Sequence, residues 1–300
     1  LHNNQNLTSI LMLDKARAHL KNNETETAFT LIKNIQDLPY SRVVIEKSKL
    51  IKANYFGSNN RLDEALKILI NITENFVDKQ NYLIALFETS IYLERLGQEQ
   101  HLIQCISILQ KIIDEFPSTN TEFYAKIRLI NIYRNLNEFD AAIDLCNKIL
   151  YADVFANHKE LYKIYLIKNE SLHAISKNNH IKLQQVFENY TDLRLKFPLI
   201  LELNLEIIYK QSIILRQLEK FEQLKELLYK EVVHKFIHNN NTFKLNNNSQ
   251  YWISRSLLLL SNIYDIDGQV SKSKNIHSKI IFYKLPGYKS LQEKLNINDQ

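Results

Sequence analysis

The chain has 300 residues, 45% hydrophobic and 24% charged, the balance of a folded protein rather than a disordered one. Four glycines and four prolines are too few breakers for a fold rich in loops or β-turns, so helix is the expected state throughout. The formal charge of +5 is spread over 38 basic and 33 acidic residues with no like-charge block, which argues against a nucleic-acid-binding face; no apolar run nears the roughly 18 residues that span a bilayer.

The chain opens on a polar stretch, His2-Asn3-Asn4-Gln5-Asn6, read as a spacer over residues 1–7. Such a spacer would suit an export signal or a lipid anchor upstream of Leu1. From residue 8 onward, apolar residues at helical spacing recur in pairs of helices. Each pair is anchored by a small or apolar residue early in its second helix: Ala28, Ala65, Cys105, Ala142, Val186, Leu224 and Ser273. The anchors lie 37, 40, 37, 44, 38 and 49 residues apart. Pro39, Pro117, Pro198 and Pro286 follow four of them by 11 to 13 residues. A proline lacks the amide donor and clashes with the preceding turn, so each reads as the stop of a second helix. Gly57, Asn59-Asn60, Gly97, Asn137, Asn178-Asn179 and Asp267-Gly268 fall between paired helices, where left-handed or capping conformations are wanted. Asn239 to Asn248 reads as an irregular insertion, and a short helix near Lys289–Leu295 as a cap on the last pair.

These residues resemble the tetratricopeptide repeat (TPR), a helix-turn-helix of about 34 residues. Ala53, Phe56 and Ala65 fit its pattern in the second hairpin; Leu129, Tyr133 and Ala142 fit in the fourth. Leu260, Ser261, Tyr264 and Ser273 fit in the seventh. The first hairpin keeps Ala16 and Ala28 but has His19 at the aromatic place. The third, fifth and sixth depart further, with Val186 or Leu224 at the small position. The resemblance implies an all-α, right-handed solenoid of about seven hairpins plus a capping helix, one domain over residues 8–295. Small residues at Ala16, Ala53, Ser212 and Ser261 would let paired helices approach closely, and each hairpin would need its neighbours to bury its apolar stripe.

Such a stack implies an inner groove lined by the first helices. The residue two before the aromatic place gives a ladder of Arg17, Asn54, Ser90, Asn131 and Asn262, with Ser90 placed by Tyr92. An asparagine amide both donates and accepts, so it can hold a peptide backbone without reading its side chains. Flanking positions in this register are Lys47, Leu50, Tyr124, Ile127, Arg134, Arg255, Leu258 and Asp265, a mixture that protein interfaces favour. Asparagine is common throughout this chain, so coincidence also accounts for three at one phase.

Catalytic signatures are missing: no phosphate loop, no GxSxG elbow, no HExxH, no paired cysteine cluster. His234 and His238 share a helical face but lack a third ligand. Cys105 and Cys146 sit where the repeat demands buried positions and read as core residues. No enzyme and no cofactor is expected. The expected function is an adaptor that binds a partner protein or an extended peptide. The endings Phe116-Pro117 and Phe197-Pro198 are similar to repeats of bacterial envelope lipoproteins, which implies an envelope setting, with the cytoplasm as the alternative. A peptide-sensing regulator and a structural spacer are the competing roles.

Overall fold

The computed structural model describes residues 2–37, 42–151, 159–238 and 245–295, with the backbone alone for residues 2–7 and 37. Those residues form helices and tight turns only. In chain order the first eight helices are α1 (His2–Lys21), α2 (Thr25–Asp37), α3 (Arg42–Ser58), α4 (Leu62–Glu74), α5 (Lys79–Leu96), α6 (Glu99–Glu115), α7 (Asn120–Asn135) and α8 (Phe139–Tyr151). The next four are α9 (Lys159–Ser176), α10 (His180–Lys196), α11 (Leu201–Gln217) and α12 (Phe221–Leu228), the last continued by a π-helical stretch, Tyr229–His238. Then come α13 (Asn247–Ile266), α14 (Val270–Phe282) and α15 (Tyr288–Lys294). They pair as seven hairpins, with α15 packed on α14 as a cap.

One backbone feature recurs in every hairpin turn. Asn23, Asn60, Gly97, Asn137, Asn178, Glu219 and Gly268 all have positive φ, between 49° and 70°. A single left-handed residue after a helix lets the following amide turn back onto the last free carbonyls. Six of these turns make that bond, from Glu24 N to His19 O, and likewise 61 to 56, 138 to 133, 179 to 174, 220 to 215 and 269 to 264. The seven turn residues are 37, 37, 40, 41, 41 and 49 apart, a smoother series than the sequence anchors give. The second-helix position five residues after each turn is Ala28, Ala65, Leu102, Ala142, Leu183, Leu224 and Ser273. Cys105 and Val186 are therefore one turn late as anchors, although both are fully buried.

The same turns fix the first helices. Twelve residues before the second-helix position stand Ala16, Ala53, Ser90, Ile130, Ser171, Ser212 and Ser261, all at most 2% exposed and all small but Ile130. Ser90, Ser212 and Ser261 satisfy their hydroxyls within their own helices, donating to Phe87 O at 2.6 Å, Ile208 O at 2.8 Å and Leu258 O at 2.9 Å. A small buried residue here lets the helices of a pair close up without orphaning a polar group.

The chain divides into two compact units, Leu1–Lys159 and Glu160–Gln300. Residues 2–7 are the first turns of α1 and not a spacer. In the Asn-rich stretch, Asn246 caps α13 by accepting from Ser249 N at 2.8 Å, and Asn247 and Asn248 are helical; residues 239–244 lie outside the described residues. Gly57 also falls inside α3 and not in the turn. Pro117 and Pro198 do follow the C-caps Phe116 and Phe197, and Pro286 follows α14; Pro39 lies outside the described residues. Both cysteines are buried, and neither is in a disulfide. Burial pushes the Cys105 thiol up to about 12, and its Sγ–H donates to Ser90 O at 3.1 Å. Among the described residues no helix is long and apolar enough to cross a membrane.

Candidate functional site

In the first unit, α1, α3, α5 and α7 pack side by side, each against the next, while α2, α4, α6 and α8 meet one another far less. The first helices therefore line the tighter, inner side of this unit. The residue after each buried small place faces out from that layer, six residues before the left-handed turn. In the first unit these groove positions are Arg17, Asn54, Ile91 and Asn131; in the second they are Leu172, Ile213 and Asn262.

Ser90 is not among them. It occupies the small place of α5, is fully buried, and its neighbour Ile91 takes the groove position. The error came from counting back from Tyr92, which lies one residue off the aromatic phase; counting six back from Gly97 gives the right residue. Leu50 is also buried, at 8% exposure, and offers little to a ligand. Arg17, Lys47, Asn54, Tyr124, Arg255, Asn262 and Asp265 are exposed, and Ile127, Asn131, Arg134 and Leu258 are half-buried.

The local geometry of α5 is set from α3. The Glu46 carboxylate accepts from the amides of Val77 and Asp78 and from Asn81 Nδ2 at 3.1 Å, and Asp78 caps the helix through Asn81 N at 2.8 Å. A carboxylate on the free amides of a helix start suits the positive end of the helix dipole. Farther along the seam, Tyr92 lies flat over Gly57: a Cβ at residue 57 would sit 2.1 Å from the Tyr92 ring. Arg95 donates to Gly57 O at 2.8 Å. Glycine is thus required here for close approach, not for its backbone angles.

With α5 fixed, polar bridges cross the inner layer between neighbouring hairpins. Asn54 Nδ2 donates to Glu88 Oε1 at 3.2 Å, and Arg128 pairs with Glu94. Asn131 accepts from Arg134 Nη2 at 2.9 Å. Each asparagine therefore has one end of its amide tied and the other end free among the described residues: Asn54 keeps its oxygen, Asn131 keeps its two donors. Between them at the same register stands the half-buried Ile91, and seven residues earlier on α5 and α7 are Ile84 and Tyr124, 39% and 55% exposed, with Phe87 and Ile127 half-buried. Glu88 is the uncompensated charge on this face. Its Oε2 is buried without a hydrogen-bond partner, and burial holds its carboxyl above the usual range, an effect that the Asn54 bond partly offsets. Ile84, Phe87, Glu88 and Ile91 were missed from sequence because one misplaced residue shifted the whole of α5; Arg128, on α7, was missed because its partner Glu94 meets it only once α5 and α7 pack.

In the second unit Lys168 pairs with Glu206 at 2.8 Å, joining α9 to α11, and Arg255 Nη2 donates to the Tyr209 hydroxyl at 2.8 Å, joining α13 to α11. Asn262 makes no hydrogen bond among the described residues. A cleft of about 390 Å³ between α10, α11 and the π-helical stretch contains Arg194, Glu231 and Lys235, but Arg194 and Lys235 both pair with Glu231, at 2.8 and 2.7 Å. His234 and His238 are exposed with ring centroids 6.2 Å apart. Among the described residues no group of three or more histidine, cysteine or carboxylate side chains could hold a metal.

Solved structures place the fold. The chain is similar to a tetratricopeptide repeat protein from Parabacteroides merdae, at 11% identity and a TM-score of 0.61, covering 97% of this chain and all of that one. It is similar also to the apo form of RapI, at 13% identity and a TM-score of 0.60, covering 97% of this chain and 82% of that one. No protein-family profile and no curated protein sequence matches it. The chain is an all-α, TPR-like helical solenoid of seven hairpins and a capping helix.

Proposed function

We propose that the chain is a non-enzymatic interaction module that holds an extended segment of a partner protein on the inner face of its first unit. The observation that carries this reading is the pair Asn54 and Asn131. They occupy the same repeat position two hairpins apart, one offering a free amide oxygen and the other free amide donors. A peptide backbone needs both kinds of partner, and the exposed Ile84 and Tyr124, two turns earlier on α5 and α7, give its side chains apolar ground. The Phe-Pro endings of α6 and α10 are what supports a bacterial envelope setting, which fractionation of native cells tests.

Selection from a displayed random-peptide library, followed by affinity measurement on the selected peptides, tests the groove. At about 1 kcal/mol for each lost hydrogen bond, Asn54→Ala with Asn131→Ala should weaken selected peptides by tenfold or more. Undiminished affinity in a folded double variant would refute the site.

A further inference from the structure

The second unit carries a different constellation on the same layer. Tyr209, Trp252 and Tyr251 form a run of rings, with centroids 5.6 Å apart for the first pair and 5.0 Å for the second. The Arg255 guanidinium lies 5.3 Å from the Tyr209 centroid and 5.9 Å from that of Tyr251, and Lys210 Nζ lies 6.0 Å from Trp252. Tyr209 is nearly buried, whereas Tyr251 is 43% exposed and Trp252 half-buried, so the run leads from the core to the surface.

The acids near this patch are otherwise engaged or distant. Glu206 is paired with Lys168, and Glu202 accepts from Asn248 Nδ2 at 3.0 Å. Asp265 lies ten residues along α13 from Arg255, about 15 Å by helical rise. Among the described residues no carboxylate lies within ion-pairing reach of Arg255, whose guanidinium donates to the Tyr209 hydroxyl. A guanidinium oriented by a tyrosine hydroxyl and two rings has little freedom left to lose when it meets a carboxylate. Its planar fork suits two parallel hydrogen bonds to that group, while the neighbouring rings favour an apolar or aromatic side chain beside it.

We infer that this patch binds an acidic segment of a partner protein that carries an aromatic residue: a carboxylate engages Arg255, and the ring packs on Tyr251 and Trp252. This surface is independent of the asparagine site on the first unit.

Trp252 is the only tryptophan of the 300 residues, so intrinsic fluorescence of the full chain reports on this patch. The probe is a twelve-residue peptide of alternating Glu and Gly around a central Phe, compared with the same peptide bearing Lys for Glu and with a thymidine dodecamer. A saturable change in Trp252 emission with the Glu peptide alone is expected. Arg255→Ala should weaken that binding about tenfold or more. Arg255→Glu should transfer the response to the Lys peptide, a gain that a misfolded variant could not show. Asn54→Ala with Asn131→Ala should leave the response unchanged, which separates this inference from the first-unit site. No saturable response to the Glu peptide, an equal response to the Lys peptide, or tighter binding of the oligonucleotide would overturn it.

Discussion

Three residues before the groove position, α5 carries Glu88 and α11 carries Lys210. Both lie just past the middle of equivalent first helices, and their surroundings have diverged completely. In the first unit Glu88 sits among Ile84, Phe87 and Ile91 with one oxygen unpartnered. In the second, Lys210 faces Trp252 and lies beside Tyr209, which accepts from Arg255. The turns that set the two helices are alike: Gly97 and Glu219 both stand nine residues later with positive φ. The difference teaches that the repeat fixes where a side chain points and leaves its charge open. One scaffold can then present a surface centred on a carboxylate and another centred on a guanidinium.

The largest effect that would break this comparison lies at the seam between α3 and α5. Gly57→Ala drives a methyl into the Tyr92 ring, and overpacking of this kind costs about 1–3 kcal/mol. The gain of about 1 kcal/mol in helix propensity offsets part of that cost. A net loss of up to about 2 kcal/mol is expected, read as a lowered midpoint in thermal unfolding by circular dichroism. Arg216 holds the corresponding place in α11 and is exposed, so Arg216→Ala should change stability by less than about 0.5 kcal/mol. Equal effects at the two positions would mean that the close approach is not particular to the first unit.

A smaller effect is expected at the seam between α11 and α13. Tyr209→Phe keeps the ring and removes the acceptor for Arg255, a bond to a charged donor worth about 1.5 kcal/mol. Part of that loss returns because Arg255 is exposed and can turn to water. The expected cost is therefore about 1 kcal/mol by chemical denaturation. The peptide response proposed for this patch should weaken at the same time, because Arg255 loses the group that orients it.

Much of this architecture was legible in the sequence for a plain physical reason. Closely packed hairpins demand small residues, and Ala16, Ala53, Ala65 and Ala142 announce them. Prolines and left-handed asparagines punctuate the ends. Glu219 is the instructive exception, since nothing about a glutamate advertises a positive φ; its backbone is held by the bond from Lys220 N to Leu215 O and by the helices on either side. The groove was legible only where its register was. Asn54 and Asn131 stand beside an aromatic at the expected phase, whereas α5 has Leu93 at that phase and Tyr92 beside it, so the conspicuous ring misplaced Ser90. The bonds between hairpins were out of reach, because Asn54 and Glu88 are 34 residues apart and become neighbours only once α3 and α5 pack.

The effect at Glu88 is the one whose sign separates the two faces. Burial raises the Glu88 carboxyl above the ordinary carboxylate range, so the folded chain binds a proton there more readily than the unfolded chain does. Stability then falls as pH rises from the unfolded-state value through the folded-state one, and the penalty is complete above that window. Glu88→Gln removes the charge and keeps an oxygen able to accept from Asn54. It should therefore stabilise the chain by about 1 kcal/mol near neutral pH, the scale of a buried polar atom left unpaired. The gain should shrink towards zero as pH falls below the ordinary carboxylate range, where the native residue is itself neutral. Equilibrium denaturation of both chains across that range measures it. A gain that does not vary with pH would assign the effect to packing, and a loss would mean that the Glu88 charge is compensated within the folded chain.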